Sequence, residues 1–203
     1  MFYNREDAGQ QLAHSLKKYQ NKNAIILAVP RGGVPIGKVV AKTLGLPLDI
    51  ILTKKIGHPG NKEYAIGAVG LDGSYFTKEV DMIPEVYIEQ EVENVRAALR
   101  HRYEQYMHKK TPLNLHNKTV IIVDDGIATG STLLATIKIA RKKGASSVII
   151  AAPVAPPQAI KKLADAADEV VCLETHPDFN AVGQYYRHFD QVSDEEVSAM
   201  LND

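Results

Sequence analysis

The segment VDDGIATGST, Val123 to Thr132, joins two adjacent acids to a turn made of glycines and hydroxyl residues. Gly126 and Gly130 can adopt backbone angles closed to other residues, so several amide groups can converge on an anion. Further hydrogen-bond donors come from the hydroxyls of Thr129, Ser131 and Thr132. A helix predicted to begin here would direct its partially positive N-terminus at the same place. The segment therefore predicts a phosphate-binding loop.

The two acids, Asp124 and Asp125, need a different ligand, because carboxylates repel phosphate. They can accept hydrogen bonds from neutral hydroxyls or hold a divalent cation. A phosphate at one end and a diol at the other together describe a ribose 5-phosphate. The alternative is an aspartate that caps a helix after a routine tight turn. The TGST residues favour the phosphate loop, which lacks the spacing and the lysine of the ATPase phosphate loop.

Composition narrows the classes of function. The 203 residues include 24 basic and 24 acidic side chains, so the net charge is zero and a broad nucleic-acid-binding face is not expected. Cys172 is the single cysteine and lies in a predicted strand, where a small hydrophobic role is favoured over a nucleophile. No signal peptide or bilayer-spanning segment is predicted. We expect a cytoplasmic protein with no membrane partner.

Apolar runs alternate with helical patterns along the chain. Five runs predict strands: residues 24–29, 46–55, 118–125, 145–154 and 167–175. Three segments predict helices: 5–18, 34–45 and 84–109. A hairpin is predicted from residues 64–69 and 73–77. Alternating strands and helices indicate an α/β fold with a mostly parallel central sheet flanked by helices.

The predicted organisation is one domain over residues 1–203. Its core covers about residues 20–175, a hairpin and long helix are inserted at about 64–110, and a C-terminal hood covers about 176–203. The inserted helix carries an apolar stripe that we expect to cover the core: Ile88, Val92, Val95, Leu99, Tyr103 and Tyr106.

Three loops leave strand ends: PRGG at 30–33, TKKIGHPGNKE at 53–63, and the acid-containing loop. Ligands of such sheets bind beyond the carboxyl ends of the strands, where the strand order reverses. Arg31 followed by two glycines suits a pyrophosphate claw; a glycine-rich turn with a solvated arginine is the alternative. Lys54 and Lys55 point to opposite faces of a strand, so only one of them is expected to reach a ligand there.

The segment VIIVDDGIATGST, residues 120–132, resembles the phosphoribosyl pyrophosphate signature of type I phosphoribosyltransferases over thirteen residues. The order of elements from about residue 24 to residue 175 is similar to that fold. The segments VPRGGVPIG, KKIGHPGNKEYAIGAV and FNAVGQYYRHFDQVSDEEV resemble a bacterial and archaeal subgroup whose acceptor is unassigned. The resemblance implies transfer of a 5-phosphoribosyl group from phosphoribosyl pyrophosphate to a nitrogen acceptor. Purine, pyrimidine and other amines all stay open.

The resemblance also implies roles for individual residues. Asp124 and Asp125 would bind the ribose 2′- and 3′-hydroxyls. The loop around the 5′-phosphate would comprise Gly126, Ile127, Ala128, Thr129, Gly130, Ser131 and Thr132. The pyrophosphate loop would comprise Pro30, Arg31, Gly32 and Gly33, and the peptide between the residues matching Arg31 and Gly32 is often cis in the family. Lys54 and Lys55 would belong to a basic lid over the pyrophosphate. Arg31, Lys55, Asp124 and Asp125 are the predicted catalytic residues.

The resemblance further implies Mg²⁺, held largely through the substrate and by Asp124 and Asp125, and a homodimer that binds small molecules only. His58 could transfer protons, although a solvated loop histidine is the favoured interpretation. A non-catalytic sensor of phosphoribosyl pyrophosphate is the main alternative. A divalent-metal hydrolase is disfavoured, because adjacent residues at a strand end diverge and no further ligand cluster is evident.

The C-terminal segment 176–189, HPDFNAVGQYYRHF, concentrates aromatic residues in a chain with 6% aromatic content. Flat rings suit stacking on a heterocycle, and the resemblance implies a variable hood over the acceptor. Tyr185 or Tyr186 is predicted to line the acceptor pocket, with Asp178 or Asn180 available for hydrogen bonds at its edge. Core packing is the alternative for each ring.

Overall fold

A computed structural model describes all residues, 1–203. The strands are β1 (Ala24–Ala28), β2 (Leu48–Ile50), β3 (Lys54–His58), β4 (Asn61–Val69), β5 (Ser74–Phe76), β6 (Thr119–Val123), β7 (Ser147–Ala155) and β8 (Glu169–Thr175). The α-helices are α1 (Arg5–Ser15), α2 (Gly33–Leu44), α3 (Glu85–Met107), α4 (Ser131–Lys142), α5 (Pro157–Ala164) and α6 (Asp194–Asn202).

Five strands form a parallel central sheet in the order β2-β1-β6-β7-β8. The chain moves outward from β1 to β2 and then returns to the other side of β1 with β6, so the order reverses between β1 and β6. The register sets Ala28 opposite Val123, and the amide of Val29 donates to the carbonyl of Val123 over 2.9 Å. The residues that follow these two strands therefore meet at the point where such sheets bind ligands.

Helices cover both faces of this sheet because its inner strands are apolar on both sides. Ile26 and Ile121 face one core, where α1 and α2 pack. Ile25 and Ile122 face the other core, with α4 and α5. Each fully buried aliphatic side chain contributes roughly 2 kcal/mol to the free energy of folding before the entropy cost. The α/β architecture predicted from the sequence is confirmed.

A second sheet, antiparallel in the order β3-β4-β5, packs through a third core against α3 and α6. The apolar stripe predicted on the inserted helix lies in this core, with Tyr106 almost fully buried. The predicted covering role of α3 is thus confirmed.

The strand predicted over residues 46–55 is wrong in its second half. β2 ends at Ile50, and Lys54 begins a strand of the other sheet. The segment predicted as a loop after it is a β-hairpin, whose tight turn is held by the amide of Gly60 donating to His58 Nδ1 over 3.0 Å. The glycine and proline content that indicated a loop is concentrated at this turn and at a bulge beside Gly57. The small sheet thus begins at Lys54, before the predicted insertion at 64; the other domain boundaries stay predictions.

The hood consists of a short 3₁₀ helix, Val182–Tyr185, an extended segment and α6. The N-terminus of the chain pairs with it: the amide of Phe2 donates to the carbonyl of Tyr185 over 2.8 Å, and the amide of Arg187 donates to the carbonyl of Phe2 over 2.9 Å. None of the helices is both long and apolar enough to cross a membrane.

Asp49, on β2, is the one buried carboxylate outside the candidate site. Burial raises its pKa, and three hydrogen bonds oppose that rise. The hydroxyl of Tyr103 donates to Oδ1 over 2.9 Å, and the amides of Ile50 and Leu113 donate over 2.7 and 2.8 Å. Asp49 thereby ties the edge of the central sheet to α3 and to the segment that follows it.

We expect Tyr103→Phe to lower the free energy of unfolding by about 1–3 kcal/mol, because a buried carboxylate is deprived of a donor that water cannot replace. Urea denaturation measures the change. Tyr64→Phe is the matched control, since Tyr64 is 51% exposed. Equal stability of the two variants would contradict the role of this hydrogen bond.

Candidate active site

Asp124 and Asp125 follow β6 at the reversal point of the sheet. Asp124 Oδ1 accepts a hydrogen bond from the amide of Asp125 over 2.9 Å, which fixes the first carboxyl against its own backbone. Adjacent residues at a strand end diverge, so the two carboxyls have different surroundings. Only Asp125 has a cationic partner.

That partner is Arg5, the first residue of α1. Its Nε and Nη2 lie 3.0 and 2.9 Å from Asp125 Oδ2, and the two side chains are only 12% and 14% exposed. Nη1 donates to the carbonyl of Asp190 over 2.7 Å. The guanidinium also lies 3.9 Å from the ring centre of Phe189. Arg5 thus joins the acid loop to the hood.

Burial raises the pKa of both acids. For Asp124 the rise is well above the ordinary value, and the neighbouring charge of Asp125 adds to it. For Asp125 the charge and hydrogen bonds of Arg5 oppose the rise, although burial prevails. The site thus holds two carboxyls close together in surroundings that disfavour a second negative charge.

The loop Pro30–Gly33 lies directly against the acids. A Cβ atom on Gly32 would lie 1.9 Å from Asp125 Oδ2, so only glycine permits this approach. The resemblance placed a cis peptide between Arg31 and Gly32; the structure has the cis bond one residue earlier, between Pro30 and Arg31.

Arg31 extends from this loop and is 35% exposed. Its Nη1 lies 3.7 Å from Asp194 Oδ1, at the start of α6. Arg102, on α3, reaches the same carboxylate at 3.9 Å, and the hydroxyl of Tyr106 donates to it. Asp194 therefore holds Arg31 near the hood through an exposed and weak ion pair.

The loop Gly126–Thr132 lines a cavity of about 200 Å³ together with Asp124, Leu133 and Val182. Gly130 has a φ of 69°, in the left-handed region that favours glycine, and α4 begins at the next residue. Lys162 Nζ, on α5, donates to Ser131 Oγ over 2.8 Å. A cation and a helix N-terminus thus meet at one mouth of the cavity, an arrangement that suits a phosphate.

The predicted phosphate-loop residues differ in their exposure to solvent. Ala128, Thr129 and Thr132 are exposed. Ile127 is 2% exposed, and its amide is engaged by the carbonyl of Val154 at 2.9 Å. Ile127 anchors the loop in the core, so its part in ligand binding is limited to the shape of the loop.

Sequence comparison identifies the family. The profile of the phosphoribosyl transferase domain matches residues 3–190. The chain belongs to this family.

Two Mycobacterium tuberculosis proteins, named phosphoribosyl transferases on a provisional basis, are 41% identical to the chain over its full length. The chain spans 46% of each of them, about half their length. A ribose-phosphate pyrophosphokinase of Pyrococcus furiosus is 30% identical over 73% of this chain and 62% of its own length.

Solved structures share the fold. TT1426 of Thermus thermophilus superposes with a TM-score of 0.89 and 38% identity, over 98% of this chain and 97% of its own. A purine phosphoribosyltransferase of Pyrococcus horikoshii has a TM-score of 0.50 and 22% identity, over 93% and 92% of the two chains. The second likeness shows the shared fold alone.

The two lysines predicted in the basic lid of this phosphoribosyltransferase domain lie on opposite faces of the small sheet. Lys55 pairs with Ala68, which pairs with Tyr75, so these side chains share the face that looks toward α4. Lys55 lines a cavity together with Ser131. Lys54 pairs with Val69, a residue of the third core, and so lies on the other face. Of the two, Lys55 is the one near the phosphate loop.

The residues predicted to bind the acceptor also differ in their burial. Tyr185 is half-buried and packs against the edge of the first core. Its hydroxyl donates to the carbonyl of Asp178 over 3.3 Å, and its ring stacks on His176 and Phe179, with ring centres 4.3 and 5.2 Å away. Asn180 is exposed. Tyr186 is 6% exposed and belongs to the core, where its hydroxyl donates to the carbonyl of Asp125 over 2.6 Å. Its position agrees with core packing, the alternative considered for each ring, and disagrees with direct stacking on an acceptor.

Three residues of the site were missed from the sequence: Arg5, Lys162 and Asp194. Arg5 lies 120 positions from its partner, and nothing in its local pattern distinguishes it from a solvated helix residue. Lys162 is an exposed helical lysine like its neighbour Lys161. Only the folded chain shows their partners.

The side chains available as metal ligands limit how the site could hold a cation. No group of three or more His, Cys, Asp or Glu side chains lies close enough to form a metal site. One partly exposed carboxylate, Asp124, is free of cationic partners, whereas Asp125 is engaged by Arg5. Mg²⁺ typically uses one or two carboxylates together with substrate phosphates. The residues therefore fit a magnesium ion carried mainly by a substrate.

We expect Arg5→Met to lower the free energy of unfolding by about 3–5 kcal/mol, because it leaves the buried Asp125 without its partner. Urea denaturation of the single variants and of Arg5→Met with Asp125→Asn forms a double-mutant cycle. The double variant should recover part of the stability, since no charge is then unpaired. Additive effects of the two substitutions would contradict the coupling.

Asp124→Asn should raise Tm at pH 7 and leave it unchanged near pH 3. The pKa of Asp124 is higher in the folded state than in the unfolded chain. Stability therefore falls as pH rises above the unfolded value of 3.8. Asparagine removes this decrease and keeps an oxygen for the amide of Asp125. Melting curves from pH 3 to pH 8 measure it, with Asp178→Asn as an exposed control; a pH-independent difference would contradict the assignment.

Proposed function

We propose that the protein transfers the 5-phosphoribosyl group of phosphoribosyl pyrophosphate to a nitrogen acceptor, a nucleobase, and releases pyrophosphate. One observation carries the proposal. The arginine-glycine loop touches the acid pair, Gly32 against Asp125, while the phosphate loop continues from the same acids. A pyrophosphate site, a diol site and a phosphate site then follow one another in the order of the donor's own groups.

In this proposal the 5′-phosphate lies in the cavity formed by Gly126–Thr132, at the start of α4. Asp124 and Asp125 accept hydrogen bonds from the ribose hydroxyls. The backbone of Gly32 and the guanidinium of Arg31 receive the pyrophosphate. The amide of Gly33 instead donates to the carbonyl of Val29 over 2.9 Å and shapes the loop. Lys55 approaches from the small sheet, on the face nearest the phosphate loop.

The reaction proceeds by attack of an acceptor nitrogen on C1′ with inversion. The bond from C1′ to the pyrophosphate oxygen breaks, and its electron pair leaves with the pyrophosphate. The acceptor nitrogen then releases its proton. Positive charge grows on the ribose ring in between, next to Asp124 and Asp125, while Arg31 and Lys55 oppose the negative charge of the leaving group. The main contribution of the protein to the rate is positioning, because it holds the acceptor nitrogen close to C1′ of the donor.

A magnesium ion bound with the donor would neutralise part of the pyrophosphate charge. Asp124 and Asp125 are the residues of this chain that would contact it.

The acceptor is proposed to bind beneath the hood. Tyr185 offers a half-buried ring, and Asp178 and Asn180 offer exposed polar groups on the same segment. Tyr186 supports this segment from the core through its bond to the acid loop. We further propose a homodimer in the cytoplasm.

We expect wild-type protein with Mg²⁺ to release pyrophosphate from phosphoribosyl pyrophosphate in the presence of one member of a purine and pyrimidine base panel. Arg31→Ala should reduce kcat by about 100-fold with a smaller change in donor KM, because the attraction between the guanidinium and the pyrophosphate strengthens as negative charge develops on the leaving group. A coupled pyrophosphate assay measures both constants.

Arg102→Ala is the matched control, since Arg102 reaches the same Asp194 carboxylate from α3 and should leave kcat nearly unchanged. Phosphoribosyl pyrophosphate should also raise Tm, as a ligand of the native state does. A rise in Tm without turnover on any base would favour the sensor. No rise at millimolar donor would overturn both functions.

A further inference from the structure

A second cavity, of about 260 Å³, lies beside the phosphate loop and shares Lys55, Ser131 and Lys162 with the proposed donor site. It is enclosed by the face of the small sheet that looks toward α4, by the first two turns of α4, and by α5. Three lysines line it, one from each of these elements: Lys55, Lys138 and Lys162. The hydroxyls of Tyr75, Thr77 and Ser131 line it as well.

The positive charge of this cavity is not neutralised by the protein. No acidic residue lines it. The ion pairs of the chain include none of the three lysines. Lys138 Nζ donates to the neutral hydroxyl of Tyr75 over 2.6 Å, and Lys162 Nζ donates to the neutral hydroxyl of Ser131 over 2.8 Å. In a chain of zero net charge, this is a local surplus of three positive charges.

The rest of the cavity is an apolar wall of alanine and leucine side chains. Ala65 and Ala68 contribute from β4, and Leu134 and Ala135 from α4. Small residues leave a shallow surface that a flat ring can cover. A wall of this kind with a few convergent polar groups is the usual composition of a small-molecule site.

We propose that this cavity binds a nucleotide, with its phosphates between Lys55, Lys138 and Lys162 and its base against the alanine-containing wall. The ring lies within the cavity of about 260 Å³, and the phosphates lie between the three lysines that line it. Lysines bind phosphate as point charges. The cavity has no carboxylate for a ribose diol, which separates it from the donor site with its two acids.

Such a ligand would be coupled to the donor site. Ser131 lines both cavities, and Lys162 donates to its hydroxyl. A phosphate held by Lys162 would repel a second phosphate in the loop at the start of α4. Binding of the nucleotide should therefore weaken donor binding, and the donor should weaken nucleotide binding by the same factor.

The test is isothermal titration of the full chain with ADP, AMP, adenosine and inorganic pyrophosphate, in EDTA so that no metal complex contributes. Wild type should bind ADP more tightly than AMP, pyrophosphate or adenosine, because only ADP supplies two phosphates together with the ring. Lys138→Gln should weaken ADP binding about 10-fold, the effect expected when one charged interaction is removed. Ala135→Glu, which brings a negative charge into the cavity, should weaken it further.

Lys142→Gln is the matched control. Lys142 lies one turn further along α4, bonds the carbonyl of Ser74 and does not line the cavity. It should leave ADP affinity unchanged, and all three variants should keep the rise in Tm that phosphoribosyl pyrophosphate gives wild type. If the donor causes no rise, the ADP affinities still decide the proposal about this cavity.

Three results would overturn the nucleotide site. ADP could fail to bind, or bind no better than pyrophosphate. Lys138→Gln and Lys142→Gln could have equal effects. Rising donor concentration could increase the apparent Kd of ADP without limit, as simple competition for one site requires, whereas coupling between two sites reaches a plateau.

Discussion

The close packing around Asp125 is the interaction on which the site depends. Three segments distant in sequence converge on this residue: Arg5 pairs with its carboxylate, Gly32 approaches the same oxygen, and Tyr186 donates to its carbonyl. Burying a carboxylate is costly unless it is paired and hydrogen-bonded. The start of α1, the PRGG loop and the hood are therefore held to the acid loop by the need to satisfy one charge.

This arrangement gives the two acids different capacities. The charge of Asp125 is partly compensated by Arg5, whereas Asp124 has no cation and is bonded only to the next amide. Burial and the neighbouring charge of Asp125 raise the pKa of Asp124 well above its ordinary value. A ligand that brings hydroxyl donors or positive charge to this place relieves an existing electrostatic cost. In the proposed reaction, the growing charge on the ribose does so at the transition state.

The sequence predicted the parts of the fold that depend on local pattern. Buried parallel strands read as continuous apolar runs, and α3 carries its apolar stripe at helical spacing, so both were found. The loop Gly126–Thr132 was found because its glycines and hydroxyls are contiguous. The hairpin after Lys54 was missed because its Pro59–Gly60 turn and its bulge carry the composition of a loop.

Arg5 could not be predicted for a different reason. Its partner lies 120 positions away, and pairing across that distance is decided by how α1 packs on the sheet. Lys55 and Lys54 were left undecided because the face that each occupies depends on how β3 pairs with β4. For Tyr186 the sequence gives an aromatic side chain, but it does not indicate that this side chain is buried in the core. In each case the missing information is a tertiary contact.

The small sheet explains why a positive cavity can exist beside the phosphate loop. One of its faces is fully used in the third core, where Ile56 and Ile66 are buried against α3. Its other face looks toward α4 and carries Lys55, while the facing surface of α4 carries Lys138. Packing two such surfaces more closely would bring their ammonium groups together without a carboxylate between them. This repulsion opposes closer packing of the two surfaces, and the proposed nucleotide brings the negative charge that the cavity lining lacks.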